Sequence, residues 1–116
     1  MRTYTVYGDT WPIADRVVVA DTFFARFKGL MFRKRLAPGE GLLLKKCCAI
    51  HCCFMRFPID AVYLDDSMQV VGVETVKPWH LGSIFSGAKH VLELEARGAQ
   101  NVVPGMRTQW KECDTP

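Results

Sequence analysis

The sequence lacks any run of about 20 apolar residues, the length that an α-helix needs to cross a membrane. Its first residues, MRTYTVYGDTWPIADR, also lack the apolar core that follows the positive start of a secretory signal peptide. We therefore expect a soluble, cytoplasmic protein with no membrane partner. Cysteine thiols stay mostly reduced in that compartment.

A strong excess of charge is also absent, since 15 Lys and Arg oppose 12 Asp and Glu and the net charge is +3. Nucleic-acid-binding domains usually carry a larger basic footprint together with aromatic or helical reading elements. Five of the basic residues lie between Arg26 and Arg35, a run that is more typical of a solvated surface. A nucleic-acid partner is therefore not expected.

Repeats, low-complexity stretches and linker-like shifts of composition are missing as well. Apolar residues make up 49% of the chain and charged residues 23%, the balance of an ordinary folded domain. At 116 residues the chain is long enough for one hydrophobic core. We expect residues 1–116 to form a single domain.

Short β-branched and apolar runs between turn residues predict strands. These runs cover 16–20, 42–44, 49–55, 59–64, 69–76, 90–95 and 106–110. In the run at 90–95, Glu93 and Glu95 alternate with Leu92 and Leu94, so the pattern predicts that both carboxylates face solvent.

One short helix is predicted over 22–30, where Phe23, Phe27 and Leu30 recur at helical spacing. Residues 77–89, which contain a proline and two glycines, form the longest predicted loop. Together these elements predict a mainly β fold, a small sandwich-like or partly open barrel of short, mostly antiparallel strands with one or two short helices.

Three stretches resemble a known family: ARFKGLMFRKRLAPGEG at 25–41, IHCCFMRFPIDAVYLD at 50–65 and GAKHVLEL at 87–94. The family is the one catalogued as domain of unknown function 192, from bacteria and archaea. The resemblance implies a mainly β, sandwich-like fold with one or two short helices. It implies no activity, substrate or catalytic residue.

The sequence departs from the family pattern in two places. Cys52 and Cys53 stand where the family usually has Thr, aromatic or small residues, and the turn at 65–68 lacks its common glycine. The cysteine cluster is therefore a local trait of this chain.

That cluster, Cys47, Cys48, Cys52 and Cys53, has His51 beside it. Structural zinc sites take their ligands from two separated pairs of residues, which this short segment does not offer. A redox pair needs a low-pKa, accessible thiolate, and no C-x-x-C motif is present. We expect buried thiols that pack as small apolar groups, with no metal and no cofactor.

Two hypotheses place a polar site near the predicted strand pair His51 to Asp60. In the first, a histidine (His51 or His80) acts as a catalytic base that Asp60 orients, as in a small hydrolase or isomerase. In the second, Arg56, Asp60, Trp79 and His80 surround a small-molecule ligand, because a buried arginine needs an anionic partner and aromatic residues often rim ligand sites.

The ligand-binding or auxiliary role is preferred, and whether the protein is an enzyme stays open. A structural or protein-interaction domain without a small-molecule site is the third alternative.

Overall fold

The computed structural model describes residues 3–9, 11–20, 22, 35–52 and 55–113. Their regular structure is β1 (Thr3–Tyr7), β2 (Pro12–Ala20), β3 (Glu40–Leu44), β4 (Ile59–Leu64), β5 (Val70–Val76), β6 (His90–Glu95) and β7 (Gln109–Glu112). The fold is mainly β, as the sequence predicts. The predicted helix over 22–30, apart from Thr22, and most of the basic run lie outside the described residues.

The strands form one sheet in the order β5-β4-β6-β3-β2-β1-β7. The β2–β3 pair is parallel, whereas the other pairs in this order are antiparallel. A parallel pair needs a long crossover connection, and the chain between Ala20 and Glu40 supplies it. The sheet is therefore mixed but mostly antiparallel.

The two ends of the sheet approach each other and close it into a partly open barrel. Gln69, before β5, forms an antiparallel bridge with Arg107, before β7. The backbone N–H of Val70 donates to the carbonyl of Met106 (2.8 Å), and that of Gly105 donates to the carbonyl of Val70 (2.7 Å). These bonds satisfy backbone groups that an open edge strand leaves unpaired.

One hydrophobic cluster fills the barrel, and we call it the interior cluster. Its buried members come from β1 to β6 and from the connection before β7: Val6, Ala14, Val17, Leu43, Val62, Leu64, Val70, Leu92, Leu94, Ala99, Val102 and Met106. Residues two apart in a strand share a face, which is why alternate residues of β4 and β6 reach this interior.

A second hydrophobic cluster, the outer cluster, lies on the opposite face of the sheet. Its buried members are Ala20, Leu36, Leu44, Ile50, Cys52, Met55, Ile59, Ala61, Tyr63, Val76, Ala88 and Val91. Residues from the segments before β4 and before β6 cover this face. Because both faces of β4 are covered, its six residues are all buried.

The predicted strand over 49–55 is wrong in its described part, which carries one isolated bridge, between His51 and Leu81. The positions beside β4 are already occupied by β5 and β6, so this segment lies over the sheet instead. Its residues Ile50, Cys52 and Met55 pack into the outer cluster.

The predicted loop at 77–89 is confirmed. In the turn at 65–68, Met68 takes the positive φ (61°) that glycine commonly provides, and the Asp65 carboxylate accepts the N–H groups of Ser67 (2.8 Å) and Gln69 (3.0 Å). These side-chain bonds add to the backbone turn bond from the Met68 N–H to the Asp65 carbonyl (3.0 Å).

Across the described ranges no helix has the length and apolar character to span a bilayer.

Candidate functional site

Asp60, the predicted orienting carboxylate, is a buried structural acceptor. Its side chain is 5% exposed in β4. Thr75 on β5 donates its hydroxyl to Oδ1 (2.7 Å), and the backbone N–H of Ala99 donates to Oδ2 (3.1 Å). Asp60 therefore joins β4 to β5 and to the turn after β6.

Asp60 and His51 lie on opposite sides of the sheet. Asp60 alternates with Ile59 and Ala61, which face the outer cluster, so its side chain points to the barrel interior. His51 belongs to the segment that covers the outer cluster. The structure does not bring these two residues together.

Residues 50–52 pair with residues 79–82 in a short ladder above the outer cluster. The N–H of Cys52 donates to the carbonyl of His80 (2.9 Å), and the N–H of Gly82 donates to the carbonyl of Ile50 (3.0 Å). His51 stands opposite Leu81 in this ladder and is half-buried. The ladder fixes the first half of the 77–89 loop against the body of the protein.

Trp79 occupies an unusual position in a turn at the start of that loop. The N–H of His80 donates to the carbonyl of Lys77 (3.2 Å), which closes a four-residue turn with Pro78 second and Trp79 third. Trp79 has φ 66°, the sign that type II turns require at the third position and that usually selects glycine there. Its N–H donates to the carbonyl of Cys52 (2.7 Å), which holds this conformation.

A shallow cleft of about 260 Å³ lies beside this turn. It is lined by Glu74, Thr75, Val76, Lys77, His80 and Leu81. Trp79, between two lining residues, is 61% exposed, and Leu81 is 77% exposed. The cleft therefore combines polar groups with an exposed apolar rim.

Glu74 ties the loop to β5 at the edge of the cleft. Its Oε2 accepts the backbone N–H of Ser83 (2.7 Å) and the hydroxyl of Tyr63 (2.7 Å), and its Oε1 accepts the Ser83 hydroxyl (3.0 Å). Burial and the bond to Glu74 raise the pKa of Tyr63, so it remains a neutral donor. These bonds occupy the carboxylate.

Arg56 lies at the same end of the sheet as the cleft. Because Ile59 at the start of β4 pairs with Val76 at the end of β5, the residues before β4 and after β5 share one edge. Arg56 is exposed there, contrary to the expectation that it is buried against an anionic partner. Of the predicted site residues, His80 lines the cleft, Trp79 precedes His80 in the adjoining turn and Arg56 lies at the same end of the sheet.

Glu93 is a buried polar residue, and the prediction that it faces solvent is wrong. It is 2% exposed, and its Oε1 has no hydrogen-bond partner among the described residues. Burial raises the pKa of its carboxyl to about 8. Glu93 pairs with Ala61 on β4 and Leu42 on β3, so it lies in a covered part of the sheet. Glu95, two residues on, is half-buried.

The described cysteines of the cluster differ in exposure. Cys52 is fully buried in the outer cluster, as predicted, whereas Cys48 is exposed and Cys47 is half-buried. The Cys47 thiol donates to the carbonyl of Ala49 (2.9 Å). Cys53 lies outside the described residues. In the part of the chain that the structure describes, no three His, Cys, Asp or Glu residues are grouped so that they could hold a metal ion.

Comparison with known proteins gives consistent results. Residues 7–110 match the family DUF192, described as Uncharacterized ACR. A UPF0127 protein of Thermococcus sibiricus is 37% identical over 93 residues, which are 74% of this chain and 57% of that protein. A UPF0127 protein of Pyrococcus furiosus is 35% identical over 100 residues, 78% of this chain and 83% of that protein. The chain thus spans just over half the length of the Thermococcus relative.

A solved structure shares the fold. It is the crystal structure of a protein of unknown function from Novosphingobium aromaticivorans, with a TM-score of 0.78 and 23% identity. The match covers 93% of this chain and 84% of that one.

Proposed function

Because the chain belongs to the DUF192 family, which is described as uncharacterised, its own geometry must suggest a role, and we propose that it is a small-molecule binding protein. The proposed site is the cleft at the end of β5, with His80 in its lining and Trp79 in the turn between two lining residues. The volume of about 260 Å³ is just below the roughly 300–1,000 Å³ of typical ligand pockets, which suits a small ligand.

The backbone of Trp79 is the observation that carries this proposal. A bulky residue with positive φ costs on the order of 1–3 kcal/mol, and such strain persists only where the surrounding structure fixes it. The bond from Trp79 N–H to the Cys52 carbonyl and the closed turn fix it here. Strained residues of this kind cluster at functional sites, and of the described non-glycine residues with positive φ (Lys46, Met68, Trp79 and Arg97), Trp79 is the exposed aromatic beside a cleft.

Binding is favoured over the hydrolase or isomerase hypothesis by the position of Asp60. That hypothesis pairs a histidine base with Asp60, whose carboxylate must then lie within hydrogen-bonding reach of the ring. The Asp60 carboxylate is already bonded to Thr75 and Ala99 on the barrel-interior side. The cleft therefore contains a histidine, His80, but Asp60 is engaged elsewhere and does not orient it.

The test is a ligand screen by amide chemical shifts of ¹⁵N-labelled protein against small metabolites, repeated with Trp79→Asn. Asparagine tolerates positive φ, so this variant keeps the turn and removes the indole. We expect compounds that shift the amides of residues 74–83. We also expect Trp79→Asn to weaken their binding at least about fivefold, because an aromatic contact of this kind contributes roughly 1 kcal/mol.

The matched control is Val103→Asn, which replaces another exposed apolar residue. Val103 also lies in a turn, which the bond from the Met106 N–H to the Val103 carbonyl closes. It should leave the affinity unchanged. A screen without shifts in residues 74–83, or equal weakening by both variants, contradicts the proposed site.

A further inference from the structure

We infer that the ligand of this cleft is a small anion, a carboxylate or phosphate monoester, that carries a planar or aliphatic apolar group. The inference rests on the proposed function and names the chemical class of its ligand. The juxtaposition that carries it is two basic side chains, Lys77 and His80, in the lining of the cleft, with the exposed Trp79 between them in the chain.

Lys77 provides the first positive charge. It lines the cleft and is exposed, directly after β5, and within the described residues its ammonium group forms no ion pair. A lysine in this state can meet a carboxylate or phosphate without losing a bond inside the protein. Such a contact combines charge attraction with a hydrogen bond.

His80 provides the second basic group, and its ring orientation is fixed. Its Nδ1 lies 2.9 Å from the carbonyl of Pro78, which favours a proton on Nδ1. When the ring is protonated, Nδ1–H donates to this carbonyl and Nε2–H can donate to an anion in the cleft. The Pro78 carbonyl thus sets which ring nitrogen serves the ligand.

One carboxylate, Glu74, also lines the cleft, and its negative charge offsets part of the attraction that the basic groups exert on an anion. Glu74 accepts bonds from Ser83 and Tyr63, so its oxygens already have donors. Glu95 lies on β6, two strands from β5, which is about 10 Å at the usual strand spacing. Arg56, exposed before β4, adds a permanent positive charge at the same end of the sheet.

The apolar part of the ligand follows from the rim. Trp79 and Leu81 expose 61% and 77% of their surface beside the basic groups. An indole face binds planar or aliphatic groups, and it also attracts cations rather than bare anions. A purely inorganic anion would leave this surface unused.

The experiment compares phenyl phosphate and benzoate with benzyl alcohol, their neutral counterpart, by amide shifts of the full chain. We expect both anions to shift residues 74–83 and to bind at least about fivefold more tightly than benzyl alcohol, the ratio for a charge contact of about 1 kcal/mol. Lys77→Met should remove most of this difference.

The matched control is Lys89→Met, which removes an exposed lysine whose backbone N–H bonds Leu64, at the other end of β4. It should change neither affinity. If benzyl alcohol binds in the cleft as tightly as the anions, or Lys77→Met and Lys89→Met act alike, the anionic class is overturned and the binding site stands. If no probe and no metabolite shifts the amide signals of residues 74–83, both the anionic class and the proposed function are contradicted.

Discussion

At the scale of single residues, buried Glu93 is the most costly group in the described structure. Its carboxyl is 2% exposed, its Oε1 has no described partner, and burial raises its pKa to about 8. An ionised carboxylate without a partner is strongly disfavoured in such surroundings. Glu93 is therefore protonated at neutral pH, when it acts as a neutral polar group inside an apolar layer.

This burial makes stability depend on pH in a defined direction. The folded-state pKa of about 8 is above the ordinary value of 4.5, so between these values the folded chain binds more protons than the unfolded chain. The free energy of unfolding then decreases as pH rises from 4.5 to 8. Glu93→Gln should remove this decrease, which is on the order of 3–5 kcal/mol. Urea unfolding of both proteins at several pH values measures it.

Glu95→Gln, on the same strand, is the control for a Glu-to-Gln change. Burial lowers the pKa of His90, and comparison of the variants cancels the contribution of His90 to the pH dependence. His90 acts in the opposite direction, since its neutral Nδ1 accepts the N–H of Lys46 (2.9 Å) and stability is lost as pH falls below its ordinary 6.5. Parallel pH curves for wild type and Glu93→Gln would show that Glu93 is not a buried acid.

At the scale of elements, the 77–89 loop is long but well attached. The ladder with residues 50–52 holds its first half, and Glu74 on β5 binds Ser83 in its middle. The ring of Phe85 packs on Tyr63, with centroids 4.5 Å apart. The cleft therefore has fixed walls although it is built from a loop.

Glu74→Ala should loosen this attachment. It removes the acceptor of both Ser83 groups and leaves the Tyr63 hydroxyl without its partner, a loss of roughly 2–4 kcal/mol for bonds to a charged group. We expect faster hydrogen exchange at the amide of Ser83 and lower stability in urea. Glu95→Ala is the control for removal of a carboxylate. An unchanged Ser83 exchange rate would contradict the role of Glu74.

At the scale of the whole molecule, the bonds between residues 69–70 and 105–107 make the sheet a partly open barrel. Both clusters depend on this arrangement, because the interior cluster takes residues from β1 at one end of the sheet and β5 at the other. Loss of either end exposes the whole interior. We therefore propose that the chain is a single cooperative domain.

Cooperativity can be checked by unfolding in urea with two probes. Far-UV circular dichroism reports on the whole sheet, and in Trp79→Asn the fluorescence reports on Trp11 and Trp110, which pack against the interior cluster. We expect coincident transitions with a slope of roughly 1–3 kcal/mol per molar urea. Two separated midpoints would show independent units.

Much of the fold could be predicted because strand signals are local. The runs at 59–64, 69–76 and 90–95 match β4, β5 and β6 to within one residue, and the family resemblance is confirmed. The sequence pattern does not predict the strand Thr3–Tyr7. It predicts the neighbouring edge strand at 106–110, whereas β7 spans Gln109–Glu112. β7 is the edge strand at one end of the sheet, and β1 lies beside it. Both are less covered than β4, with one buried residue in β1 and none in β7, so their apolar pattern is weaker.

The site could be predicted only in part. The loop composition places Trp79 and His80 in a connection, because prolines and glycines mark one whatever it packs against, and His80 lines the cleft. The pairing of Asp60 with His51 failed because it assumed that residues 49–55 form a strand beside β4. Lys77 and Glu74 had no signal, since a surface lysine and a strand glutamate are ordinary until their neighbours are known.

The sequence by itself determined most of the strands, such as β4, β5 and β6, since alternation and turn residues act over a few positions. Only the tertiary structure decided what covers each strand face. The alternation of Glu93 with Leu92 and Leu94 predicts that Glu93 faces solvent, whereas in the fold other segments cover its side chain. The reason is physical: a strand sets which side chains share a face, whereas burial of that face depends on segments that are distant in the chain.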